Sequence, residues 1–193
     1  MSDNDISTAK PRALSGASAV LWVVTAALAV AAVVKLAWYP RFAEASSDAC
    51  DAVAAQAPSA GWSDQSFPCE QFGPMGWYLP YWLGTLFFVV FAVLFLVAAI
   101  MAAKGRPGVW AFTLVIGIIA VAGAVAGLLD LGWSFAIESS NQADALVAER
   151  LRDALPVWPS IVESVVELVV IAGTALAVGL LSRLSTNAYL KQR

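Results

Sequence analysis

The sequence predicts an all-α integral membrane protein, a four-transmembrane-helix bundle with two extracytoplasmic loops. Three observations lead there. The 193 residues are 60% hydrophobic and only 13% charged, whereas an ordinary soluble domain is nearer a quarter charged. The mean hydropathy is +0.75. The apolar residues gather in four runs. Each is long enough to cross a hydrocarbon core of about 30 Å at about 1.5 Å per helical residue. One membrane domain, and no large soluble core, is the expectation.

The elements follow in order. Residues 1–13 read as a polar cytoplasmic tail. Lys10 and Arg12 before an apolar run also fit a signal peptide. The run from Ala17 to Val34 exceeds a usual signal core, however, so a retained first span is the preferred reading. That span is 14–38. Lys35, Trp38, Tyr39 and Pro40 mark its outer end, where aromatic rings settle at headgroup level and a lysine can snorkel.

Residues 39–76 form the first outer loop. Ser46, Ser47 and Asp48 can cap a short helix there that runs to Gln56 and stops before Pro58. The second span, 77–103, has no ionisable residue in its body. Phe87, Phe88, Phe91 and Phe95 make it the most lipid-like of the four. Lys104, Gly105, Arg106, Pro107 and Gly108 form a tight cytoplasmic turn, 104–108, so its flanking spans are antiparallel neighbours.

The third span, 109–134, contains a GxxxG pattern, Gly123 and Gly127, which lets another helix approach closely. Asp130 continues that face. The second outer loop, 135–158, carries Leu146, Val147, Leu151 and Leu155 at helical spacing with charges between them. A short amphipathic helix is expected there, capped by Ser140 or Asn141, stopped by Pro156, and lying on the membrane surface or against the first loop. The fourth span is 159–182, and 183–193 is a short basic cytoplasmic tail.

Orientation follows from lysines and arginines. Seven lie on the side of the two termini and the 104–108 turn, against four on the other side. The positive-inside rule places both termini in the cytoplasm of a multi-pass cell-membrane protein.

Composition also excludes. The chain has no histidine, which removes the commonest general base and metal ligand. No catalytic residue, metal site or cofactor is predicted, and no basic patch or motif points to nucleic acid. Cys50 and Cys69 share the first outer loop and are not a CxxC pair. Outside the cytoplasm a structural disulfide between them is the default.

The remaining chemistry lies in the membrane. Glu163 and Glu167 are four residues apart in the last span, hence on one helix face, with Ser160, Ser164 and Thr174 near the same face. Asp130, Glu163, Glu167 and Lys35 all lie toward the outer ends of their spans. They are the candidates for an ion or proton site. The bland alternative is that they reach water at the interface and lock helix packing. Glu167 lies about 12 Å inside Pro159 along the helix axis, deep for a short acidic side chain. The aromatic residues of the outer face read first as an interfacial belt, and second as the floor of a site for a lipid or quinone head group.

The leading functional expectation is non-enzymatic: an accessory, assembly or scaffold subunit. It would meet membrane lipids and other membrane proteins, or a second copy of itself, through helix faces and outer loops. The runner-up is a small proton- or cation-coupled carrier or channel using the outer carboxylates. An enzyme acting on a lipid is a third. The inner halves of the spans read as apolar, which argues against an open pore.

Overall fold

A computed structural model describes residues 12–55, 75–136 and 142–183, with the side chains of 75–77, 130–136 and 142–145 excepted. Every regular element among them is helical: α1 (Arg12–Ala54), α2 (Met75–Lys104), α3 (Val109–Ala136), α4 (Gln142–Ala154) and α5 (Trp158–Leu181). Four of these, α1, α2, α3 and α5, are long and apolar enough to cross a membrane. The described residues form two compact units.

The first unit takes residues 12–28, 90–126 and 166–183. Each helix buries a stripe at helical spacing. On α1 this is Leu14, Ala17, Leu21, Val24 and Leu28; on α2, Phe91, Phe95, Ala98 and Ala102; on α3, Val109, Thr113, Ile116, Ala120 and Ala124. On α5 it is Val166, Glu167, Val170, Thr174, Ala177 and Leu181. The α2 stripe corrects an expectation. Phe91 and Phe95 are buried, as is Phe88 in the second unit, and the exposed side of α2 carries Leu83, Leu86, Val90, Val93, Val97 and Ile100. A helix that is apolar all round has no polar face to reveal its inward side.

The turn after α2 is built as the sequence predicts. Gly105 adopts φ +62°. Its N–H donates to Ala102 O, and the Arg106 N–H donates to Met101 O. That pair of bonds closes a helix on a left-handed residue, where a side chain would be strained.

The second unit takes residues 29–55, 75–89 and 127–165. Here the expected loop 39–76 is corrected in its first part. Helix α1 does not end near Trp38; it runs through Pro40 to Ala54 without a break. An interior proline removes one backbone bond and crowds the preceding turn, at about 3 kcal/mol. Packing offsets this. Ala49, Cys50 and Val53 of α1 form an apolar cluster with Val147 and Leu151 of α4. Ser46 does not cap a new helix; its hydroxyl donates to Phe42 O, one turn back, at 2.7 Å. Helix α4 is the amphipathic helix of the second loop, and it lies against this extension of α1. Pro156 follows its end as expected. Its expected caps, Ser140 and Asn141, lie outside the described residues.

Candidate functional site

The ionisable residues of the apolar segments are few, so their placement decides what the fold can do. Lys35 sits on α1 and is only 9% exposed. Its Nζ lies 2.9 Å from Glu163 Oε1 on α5. The ammonium also stands 4.8 Å from the centre of the Tyr81 ring and 5.9 Å from that of Phe88. Such contacts contribute about 0.5–2 kcal/mol each as the site dries. Tyr81 is fixed in turn, its hydroxyl donating to the Lys35 carbonyl. Lys35 therefore does not snorkel freely. It is held by a carboxylate, two rings and a gap over Gly84. Glu163 keeps 27% of its side chain exposed, so one end of the pair remains near the surface.

Glu167 belongs to the first unit. It is 8% exposed and lies on the same buried stripe as Val170 and Thr174. That stripe is not wholly apolar, and neither are its neighbours. Ser18, Thr25, Thr113 and Thr174 are buried in the same unit. Ser18 donates to Ala99 O, and Thr25 to Leu21 O. The Thr113 and Thr174 hydroxyls have no hydrogen-bond partner among the described residues. The expectation that the inner halves are apolar is thus corrected: they carry buried hydroxyls. Single threonines are poor signals in sequence, because a hydroxyl can bond to its own helix and hide from lipid.

Asp130 lies on α3, but its side chain is outside the described set, as is Cys69. Gly123 and Gly127 are half-buried. A close approach on α3 lies at Gly117, where a Cβ would come 2.4 Å from Thr174 Cγ2; Gly173 is equally close to Val24. Sequence reasoning missed both, since neither belongs to a GxxxG pair.

Around the Lys35 end lies a set of rings. Trp38 meets Trp158 edge-on at 5.2 Å, Tyr39 contacts Tyr78, Tyr81 and Trp82, and Phe42 stacks on Tyr81 at 4.3 Å. The Arg41 guanidinium lies over Trp38 at 4.8 Å. Next to Trp38 an open cleft of about 880 Å³ runs along the seam where the extension of α1 packs on α4. Its apolar floor includes Ala45, Ala49, Leu146 and Leu155, and its walls carry Arg41, Glu44, Asp48, Glu149, Arg150 and Asp153. No group of three or more metal-ligating side chains occurs among the described residues.

The chain matches no protein-family model, no curated protein and no solved structure.

Proposed function

We propose that this is a small polytopic membrane protein that serves as an accessory, assembly or scaffold subunit. The observation that carries the reading is the helical platform formed by the end of α1 and α4. At about 1.5 Å per residue, the 43 residues of α1 span about 65 Å, far more than a hydrocarbon core needs. The surplus length packs on α4 through a small apolar core. It offers a charged, open surface suited to a partner's exposed loops. The Lys35–Glu163 pair favours the same reading, because each charge offsets the other instead of lining a passage.

In this proposal the platform is extracytoplasmic, both termini are cytoplasmic, and the protein lies in the cell membrane. Its first loop is held by a Cys50–Cys69 bond. Cys50 is buried at the base of the platform, so a bond there would anchor the chain that follows. Lipids and other membrane proteins, or a second copy of the chain, are its partners.

A second reading has one observation in its favour. Glu167 is buried near hydroxyl-bearing stripes, and an acid within a span is a functional candidate by default. On that reading Glu167, with Glu163, Lys35 and Asp130, serves a proton- or cation-coupled carrier.

The deciding experiment is purification of the full chain in mild detergent, followed by reconstitution. A membrane protein present in fixed stoichiometry, lost when Leu151 is replaced by Glu, supports the scaffold. A partner-free chain that acidifies vesicles, and stops doing so as Glu167→Gln, supports the carrier and overturns the scaffold.

A further inference from the structure

Pro40 lies in the interior of α1, and Pro80 in that of α2. Neither has an N–H to return to the carbonyl four residues back, Leu36 O in α1 and Gly76 O in α2. A helix without that bond opens on the proline side and bends away from it. The two weak points lie side by side. Tyr39, next to Pro40, contacts Tyr78, Tyr81 and Trp82, which flank Pro80, with ring centres at 6.1, 5.8 and 4.8 Å.

One side chain spans the break in α1. At about 100° per residue, Lys35 and Phe42 lie about 140° and 160° round the helix from Pro40. They are thus on the face toward which a proline bend closes. Pro40 itself is exposed. Tyr81 sits on the closing face. Its ring stacks on Phe42 at 4.3 Å, with 18° between the planes, and lies 4.8 Å from Lys35 Nζ. Its hydroxyl donates to Lys35 O, before the break. Tyr78 adds a bond after the break, its hydroxyl donating to Ala43 O at 3.2 Å. A wedge and two ties therefore bridge Pro40.

We infer that Pro40 is a hinge, and that Tyr81, with Tyr78, is the prop that holds the outer part of α1 straight. The device has a second end. The ring that props the hinge is also the ring beside the Lys35 ammonium, which pairs with Glu163. A body that presses the end of α1 toward the closing face pushes Phe42 onto Tyr81, and Tyr81 toward Lys35. The platform and the ion pair are coupled through one side chain. The inference goes beyond the scaffold reading and does not rest on it, because the hinge belongs to the chain alone.

The test is hydrogen exchange of the full, partner-free chain in nanodiscs, read by mass spectrometry on peptides from 18–34 and 41–54. The intact protein should protect both. Tyr81→Ala removes the wedge and one tie. It should speed exchange in 41–54 by about tenfold, the fold-change that one net hydrogen bond supports, and leave 18–34 unchanged. Pro40→Ala restores the bond to Leu36 O. Added to Tyr81→Ala, it should return 41–54 to the protection of the intact chain. If Tyr81→Ala does not fold, Tyr78→Phe with Tyr81→Phe keeps both rings, removes both ties and takes its place, with the same rescue expected. Unchanged exchange in 41–54 overturns the inference. So does a rise that Pro40→Ala fails to reverse, since that is a loss of packing alone. A rise spread equally over 18–34 overturns it as well. Partner binding enters none of these readouts, so the hinge and the scaffold reading fail separately.

Discussion

A Cβ on Gly84 would lie 3.4 Å from Lys35 Nζ. Helix α2 therefore leaves a gap where the ammonium of α1 turns toward Glu163. A larger residue at 84 has to displace a charge from its carboxylate and its ring contacts, which is costly in apolar surroundings. Gly84→Leu should lower thermal stability in detergent more than Leu83→Ala on the exposed side of the same helix. Gly84→Ala, at the edge of ordinary contact, should be nearly neutral. Equal effects of the two large changes would show that the gap has no role.

The ion pair itself predicts a coupled loss. Lys35→Met leaves Glu163 without its cation, and Glu163→Leu strands a buried ammonium. Breaking a fully buried pair costs about 3–5 kcal/mol; partial exposure of Glu163 places the cost below that range. The stranded ammonium should be the worse of the two, since Lys35 is the more buried partner. Lys35→Met with Glu163→Leu together should recover most of the stability, measured as a double-mutant cycle on unfolding in mixed micelles. Simple additivity would refute a direct coupling.

Close packing on α3 should centre on Gly117. Gly117→Leu pushes into the Thr174 methyl and should cost about 1–3 kcal/mol by overpacking. Gly117→Ala should cost less, and Thr174→Ser should relieve it by removing that methyl. Gly127→Leu tests the GxxxG pattern by comparison, with exposed Val93→Leu as the control. If Gly127→Leu disrupts assembly while Gly117→Leu does not, the pattern in the sequence outranks the contact described here.

Topology and the disulfide can be tested together. Tags at residue 2, within 104–108 and at the C-terminus should all report cytoplasm, and a probe in 41–76 should react from outside intact cells. Mass spectrometry without reduction should find Cys50 joined to Cys69, a closure contributing on the order of 3 kcal/mol. Two thiols that both react with a trapping reagent in freshly lysed cells would remove the bond.

Glu167 separates the two functional readings. As a packing residue, Glu167→Gln should keep stability and partner binding, and Glu167→Leu should cost little more. As a transport residue, Glu167→Gln should abolish proton or cation flux in reconstituted vesicles with the fold intact.

Much of this fold was legible in the sequence, and the parts that were not share a cause. Length and hydropathy delimit α2, α3 and α5 to within a few residues, and Gly105 marks the turn. The period of Leu146, Val147 and Leu151 against charged neighbours reveals α4 and its inward face. By contrast, the continuation of α1 through Pro40 depends on contacts with α4, far along the chain, which local propensity does not contain. The inward phenylalanines of α2 were hidden because hydrophobicity carries no direction in a segment without polar residues. At the site, the sequence brings Lys35 and the last-span acids to the same end of their helices. It does not say that Glu163 is the acid Lys35 meets. That choice rests on helix rotation and on the gap at Gly84, and a glycine in an apolar run gives no sign of what it makes room for.

The Lys35–Glu163 contact also has a consequence in time. Lys35 lies in α1, which leaves the ribosome well before α5, the helix that carries Glu163. At about 5–20 residues per second, the ammonium waits on the order of ten seconds for its counter-charge. Until then α1 has to rest with Lys35 in the headgroup region or in the keeping of the insertion machinery, and it settles to its final depth only when α5 arrives. A nascent chain stopped before α5 should therefore expose Lys35 to membrane-impermeant amine reagents that the finished protein resists. Arrival of α5 would then act as the checkpoint that lets α1 settle.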